Sequence, residues 1–328
     1  MNQEFVTRRK LEAIDRALAY LSPFEASCTL CPRNCRVDRT KGQTGVCQTS
    51  SQARVSTGLL HFGEEPVLSG RGGPGRAPGS GTIFFSGCNL KCLFCQNYQI
   101  SWLNEGELVT DEELAKMMLD LQRRGALNIN FVSPTHVILP ILRALKIAYQ
   151  KGLHIPLVYN SNGYDSLEVI EQLRGIIDIY LPDLKYFSSE LSRKYSAAPD
   201  YFEHARLAIQ EMYCQQPDLV LDENEIAHKG LIIRHLVLPG SPEDSIKVLE
   251  WIAENLSTSV GLSLMSQYHP CFKAPVELQR EITREEYRKV MNRALELGFE
   301  NLFLQPEPFL TEEHLIPDFR RKNPFRWK

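Results

Sequence analysis

The chain has 328 residues, 43% of them hydrophobic and 23% charged, and a formal net charge of −3. That balance excludes a disordered or collagen-like chain, and it provides no global basic field to attract nucleic acid. The longest apolar runs, such as 231–233 and 236–238, are far too short to cross a bilayer, and the opening MNQEFVTRRKLEAIDR lacks the apolar stretch and cleavage site of a secretory signal, so a cytoplasmic protein with no membrane partner is expected.

Residues 4–21 place Leu11, Ile14, Leu18 and Leu21 three and four apart, the pattern of an amphipathic helix. From Cys28 to Cys47 the chain is rich in Cys, Arg, Asn and Gly and poor in apolar residues, so it cannot build a core of its own and needs a staple. Residues 70–81, GRGGPGRAPGSG, read as a turn-rich connector. It has no Gly-Lys-Ser/Thr ending, which rules out a phosphate-binding P-loop. A boundary here divides the chain into an N-terminal segment (1–75), a main body (76–305) and a C-terminal tail (306–328).

The main body alternates strands and helices. Strands are expected at 82–86, 128–133, 155–160, 177–184, 231–238, 261–267 and 302–305. Helices are expected from a capping box at Thr110 and Glu113 to Gly125, over 137–150 with Pro140 near its start, at 167–173, up to Met212, and over 246–256 and 285–297. Residues 219–222 form a small hairpin arm with the strand that follows. This alternation indicates parallel βαβ units. The fold class is therefore α/β, a partial (β/α)6 TIM-like barrel with a small cysteine-rich N-terminal segment. In such barrels the chemistry gathers at the C-terminal ends of the strands.

Of nine cysteines, seven lie between Cys28 and Cys95. Such clustering suggests ligands rather than packing or a disulfide framework. Cys88, Cys92 and Cys95, spaced C-x3-C-x2-C, follow the first strand of the main body. Three thiolates can hold three irons of a four-iron, four-sulfur cluster and leave the fourth open to a small molecule. A three-ligand zinc site is the plainer alternative.

The spacing, with the aromatic Phe94 before the third cysteine, resembles the radical S-adenosylmethionine (SAM) superfamily. The resemblance implies a reduced cluster that passes one electron to SAM, and a 5′-deoxyadenosyl radical that abstracts hydrogen. Asn160-Ser-Asn-Gly163, Asp183-Leu-Lys185 and Arg234 with Val237-Leu-Pro-Gly240 resemble motifs of its activating-enzyme branch, typified by the activator of pyruvate formate-lyase. By that likeness Asn160, Ser161, Asp183, Lys185 and Arg234 hold SAM, although a charged residue at a strand end is also explained by a structural ion pair. Where most of the superfamily has Gly-Gly-Glu, this chain reads Ser133-Pro-Thr-His136. The hydroxyls of Ser133 and Thr135, or carbonyls exposed by Pro134, take over its role, and His136 either serves the substrate or caps the next helix. The branch implies a protein glycine or another substrate, and a one-electron reductant such as flavodoxin or ferredoxin.

Cys28, Cys31, Cys35 and Cys47 read C-x2-C-x3-C-x11-C, a closed set suited to structural zinc or an auxiliary iron–sulfur cluster. The phrase from Cys28 to Cys35, followed by Gly42-x-x-Gly45-x-Cys47, resembles the N-terminal segment of activating-enzyme-like proteins. The competing class is a non-catalytic iron–sulfur or zinc protein serving electron transfer or assembly. Gln267, Tyr268 and His269 are rim candidates. Cys271 is a packing residue or a relay thiol, and Cys214 is expected in the core. His61, Glu64 and Glu65 fall in a loop without an assigned partner. The basic C-terminal end, with Arg320, Arg321, Lys322, Arg326 and Lys328, is expected to be a solvated tail.

Overall fold

The computed structural model describes residues 3–71, 73, 75, 78–305 and 316–325. Helix α1 (Gln3–Leu21) buries Ala13, Ile14, Ala17 and Leu21. The cysteine-rich stretch that follows contains only short turns of 3-10 helix. Then come β1 (Ala53–His61), α2 (Pro66–Ser69), β2 (Ser80–Phe85), α3 (Tyr98–Ser101), β3 (Glu107–Val109), α4 (Asp111–Arg123) and β4 (Ile129–Val132). The next stretch holds α5 (Ile138–Gln150), β5 (Leu157–Asn160), α6 (Leu167–Gln172), β6 (Ile179–Tyr180), α7 (Ser189–Ser196) and α8 (Tyr201–Gln215). The last elements are β7 (Val220–Leu221), β8 (Ala227–Leu236), α9 (Pro242–Asn255), β9 (Gly261–Met265), α10 (Arg284–Glu296) and β10 (Asn301–Leu304).

All strands join one sheet in the order β10-β9-β8-β6-β5-β4-β2-β1-β3, with β7 beside β8. From β2 to β10 every neighbouring pair on this path is parallel. The order never reverses, so each right-handed crossover places its helix on the same face. The other face is left for a cavity, as expected of a partial barrel. Among the described residues the sheet is open, with β10 and β3 as its edges.

Side chains alternate across the strands with period two. Ile83, Phe85, Ile129, Phe131, Leu157, Tyr159, Ile233 and Leu264 enter the main core beneath the helices. Thr82, Phe84, Asn130, Asn160, Arg234 and Ser263 take the opposite face. There α2 closes the far end as a plug. Its Val67 and Leu68 pack with Val158, Ile179, Leu181 and Ile232, and Asn128 Nδ2 donates to the Leu68 carbonyl at 2.8 Å.

The expected capping box at Thr110 and Glu113 forms, and Thr283 with Glu286 makes a second. The hairpin arm forms between β7 and β8. Several expectations are corrected. Two strands were missed: β1 pairs antiparallel with both β2 and β3, so the connector at 70–81 lies between two strands of one sheet. The fourth strand is regular only at Ile179–Tyr180. Pro182 has no N–H for the ladder, and pairing resumes as an isolated bridge between Asp183 and Arg234. Cys214 is exposed rather than in the core. The C-terminal segment is not wholly solvated: Phe319 and Phe325 are buried against Phe84 and Ile100, and Gln99 donates to Asp318 and accepts from the Phe319 N–H. Arg320, Arg321 and Lys322 are exposed there, while Arg326 and Lys328 lie outside the described residues.

Candidate functional site

After β2 the chain turns sharply at Gly87, whose φ of +82° suits glycine. It then runs through Cys88, Cys92 and Cys95 into α3. All three thiols border one cavity of about 470 Å³ at the C-terminal ends of the parallel strands. Ser133, Asn160, Ser161, Asp183, Lys185 and Arg234 border it too. Residues from five successive parallel strands thus converge on a single space.

Each sulfur has donors aimed at it. Cys88 Sγ accepts from the Leu90 N–H and from Asn162 Nδ2, both at 3.3 Å. Ser196 Oγ donates to Cys92 Sγ and Ser101 Oγ to Cys95 Sγ, each at 3.1 Å. Burial pushes the Cys88 and Cys95 thiols up to about 12 and raises that of Cys92. Thiols this desolvated stay protonated unless a metal displaces the proton. Donors directed at sulfur suit metal-bound thiolates. Three cysteines on one cavity therefore fit a cluster with an open corner. Among the described residues, no three His, Cys, Asp or Glu side chains converge tightly enough for a single metal ion.

The cavity's charges are paired. Lys185 Nζ bridges Asp183 Oδ2 at 2.6 Å. Burial alone would lower Lys185, but Asp183 and Cys92 outweigh it and hold the amine at about 12. Arg234 is fixed by two carboxylates: Nε and Nη2 grip Glu65 at 2.8 and 2.7 Å, and Nη2 also pairs with Glu64. Asn130 Nδ2 donates to Glu64 at 3.0 Å. Burial favours the neutral form of Glu64, yet Arg234 and His61 prevail and hold its carboxyl at about 2. Glu64 and Glu65 both border the cavity. In the sequence they fall in a loop with no assigned partner, and nothing in their spacing points to an arginine far along the chain.

The remaining candidates scatter. Thr135, expected beside SAM, is turned away: its hydroxyl donates to Asp165 Oδ1 at 2.6 Å, and it does not border the cavity. Ser133 borders it in a left-handed conformation, φ +58°. His136 is buried with Nε2 on the Ser86 carbonyl at 2.8 Å, so it neither caps a helix nor faces the cavity. Phe94 packs edge-on against Tyr195 and Tyr268, behind the loop. Gln267 borders the cavity. Tyr268 donates to the Leu278 carbonyl, and His269 faces Glu281. The Cys271 thiol lies 3.3 Å from the Phe94 carbonyl.

The N-terminal cysteines sit directly behind the loop. Cys28, Cys31 and Cys47 are buried and Cys35 partly so. Burial pushes Cys31 up to about 12, with Cys47, Cys28 and Cys35 adding to the effect. A Cβ at Gly45 would fall 2.6 Å from Cys35 Sγ, so glycine is required there. Arg33 donates to the carbonyls of Asn89, Ala197 and Ser196. Arg39 donates to Cys47 Sγ and to the His136 carbonyl.

Comparison with known proteins finds several similar chains. An uncharacterized protein of Methanocaldococcus jannaschii is 33% identical over 280 residues, 82% of this chain and 74% of that protein. The pyruvate formate-lyase-activating enzyme of Clostridium pasteurianum is 28% identical over 119 residues, 34% of this chain and 49% of its own length. Among solved structures, SuiB of Streptococcus suis bound to S-adenosylmethionine matches with a TM-score of 0.45 at 16% identity. The match covers 67% of this chain and 48% of SuiB, so this chain spans about half of that protein. Methylornithine synthase (PylB) matches with a TM-score of 0.44 at 18% identity, over 66% of this chain and 60% of that one. The radical SAM superfamily model matches residues 82–252, just over half of the chain and the stretch that carries Cys88, Cys92 and Cys95; the chain belongs to the radical SAM superfamily.

Proposed function

We propose that the chain is an enzyme that cleaves SAM reductively at a 4Fe–4S cluster held by Cys88, Cys92 and Cys95, and takes hydrogen from a substrate. The observation that carries the reading is the convergence of three thiols, and no further cysteine among the described residues, on one cavity lined by polar strand ends. When bound and reduced, the cluster supplies the electron that breaks a carbon–sulfur bond of SAM and yields the 5′-deoxyadenosyl radical.

The chain's own residues bind, orient and exclude water. Asn162, Ser196 and Ser101 steady the three sulfurs. Lys185 and Asp183 offer one charge of each sign to the amino and carboxylate groups of SAM. Ser133 and Asn160 supply further donors and acceptors. Arg234, clamped by Glu64 and Glu65, acts as a fixed wall rather than a free cation. Pro317 and Phe325 line the cavity and keep water from a reactive radical.

Similarity to the pyruvate formate-lyase-activating enzyme of Clostridium pasteurianum supports an activase-like reading, in which the hydrogen donor is a glycine of a partner protein and the reductant a flavodoxin or ferredoxin. The four N-terminal cysteines hold a second metal centre in this reading. The test is anaerobic reconstitution, reduction and chromatography for 5′-deoxyadenosine. Its release is expected; none from a fully loaded, reduced protein overturns the proposal.

A further inference from the structure

We propose that the floor of the cavity, at Glu64, binds a cationic group of the substrate, an alkylammonium or alkylguanidinium. The proposal rests on the reading above and names the class of substrate for that same site.

Charge is the first argument. Among the described residues, the acidic and basic side chains that border the cavity are Glu64, Glu65, Asp183, Lys185 and Arg234. Lys185 and Asp183 pair with each other at 2.6 Å. Glu65 alone satisfies Arg234: its two oxygens take Nε at 2.8 Å and Nη2 at 2.7 Å, a bidentate grip. Glu64 also reaches Nη2, so it shares a cation that is already matched. Three carboxylates thus face two cations, and Glu64 is the surplus. Its side chain is only 5% exposed, and a charge so buried is costly without a full counter-charge. Burial works against the charge on Glu64, but Arg234 and His61 keep it ionised. His61 Nδ1 stands 3.5 Å from Glu64 Oε1; protonation of that ring is the internal alternative to a bound cation.

Donors are the second argument. Asn130 is fully buried on the cavity face of β4. Its Nδ2 donates to Glu64 Oε1 at 3.0 Å, which fixes the orientation of the amide because a carboxylate only accepts. The other end, Oδ1, is buried and accepts no hydrogen bond, at a cost in free energy. An acceptor without a donor therefore sits beside a carboxylate without its own cation. Ammonium and guanidinium groups carry N–H donors and positive charge together.

Position separates this floor from the proposed SAM contacts. Ser133 follows β4 at the end where the cysteine loop lies, and Asn130 is about 10 Å of strand below it. Glu64 and Glu65 run directly into α2, the plug at the far end. Between the two ends Phe84, Val132 and Phe303 line the cavity with apolar surface, which suits a methylene stem. A cation seated on Glu64 directs that stem toward Cys88, Cys92 and Cys95.

The experiment measures, by calorimetry on the reconstituted protein, the binding of probes that differ in one terminal group. Butylammonium, butyramide and butyrate form one series, and the capped tripeptides acetyl-Gly-Lys-Gly-amide, acetyl-Gly-Gln-Gly-amide and acetyl-Gly-Glu-Gly-amide the other. In at least one series the cationic member is expected to bind about tenfold more tightly than its neutral partner. The series that binds better separates a small amine from a side chain of a protein partner. In a Glu64→Gln variant, where Glu65 still holds Arg234, the preference should vanish. Equal binding of charged and neutral probes by the wild type overturns the inference and leaves His61 as the counter-ion. A preference that survives in folded Glu64→Gln protein overturns it as well, because the attraction then belongs to the outer surface. A second variant, Phe303→Trp, fills the passage and leaves the clamp on Arg234 untouched. It should also remove the preference, and a preference it leaves intact overturns the inference even if Glu64→Gln fails to fold. A cationic probe that competes with SAM puts Glu64 at the SAM amino group and overturns the inference too. A clear preference in protein that releases no 5′-deoxyadenosine counts against the proposed SAM chemistry and leaves the cation site standing.

Discussion

The two faces of the sheet are made by the same strands, residue by alternate residue, yet they follow opposite rules. The helix-covered face is a conventional core, with Phe85, Phe131, Tyr159 and Leu264 nearly solvent-free. The opposite face carries Thr82, Asn130, Asn160, Arg234 and Ser263 in the same rows; Asn130 donates to Glu64 and Arg234 to Asn160, and Asn160, Arg234 and Ser263 border the cavity. Stability is therefore concentrated on one side and chemistry on the other. Substitutions on the two faces should separate in their effects.

The sharpest separation is expected of Cys92→Ser. It removes a proposed cluster ligand from the cavity side, so 5′-deoxyadenosine release should fall below detection while the melting temperature of the metal-free protein changes little. A large drop in melting temperature would erase the distinction between the faces. Phe131→Ala is the mirror case. The ring is fully buried beside Phe85, with centroids 6.3 Å apart, so denaturant unfolding should show a loss of about 3–5 kcal/mol.

His235 sharpens the comparison from inside the core. It is the neighbour of Arg234 on β8 but points to the opposite face, buried, with Nδ1 on the Leu184 carbonyl at 2.6 Å. Burial lowers its pKa from 6.5 to about 4. The folded state thus binds the proton less tightly than the unfolded state. The resulting stability, on the order of 3 kcal/mol, is present above about pH 6.5 and is lost as the pH falls toward 4. A His235→Asn variant should show a flatter stability profile across that window, and an identical slope would refute the assignment. The smallest effect is expected of Thr110→Ala, which touches neither face. It removes the cap of α4 and should cost about 1 kcal/mol in urea unfolding without altering iron content.

Much of this was legible in the chain. Periodicity located the parallel strands and the helices between them, because alternate apolar residues and caps are local signals. The cysteine triplet announced the cavity because its three thiols lie within one loop. Long-range pairings left no such trace. The partners of Arg234, Glu64 and Glu65, precede the main body, and adjacent acids in a loop look like ordinary surface. The hydroxyl of Thr135 was diverted by Asp165, thirty residues on, which motif position alone does not show. β1 escaped notice because only its first and third residues and its last are buried, which blurs the alternation. The aromatic pair Phe319 and Phe325 was hidden among five basic residues that suggested a tail.

Where the cavity's walls come from has a consequence for how the protein matures. His61, Glu64 and Glu65 meet Arg234 and Phe325 around one space, so the enclosure exists only after distant stretches of chain have found each other. Such long loops close slowly relative to local helices and hairpins. The wall of the cavity therefore depends on contacts between distant stretches, whereas Cys88, Cys92 and Cys95 lie within one short loop.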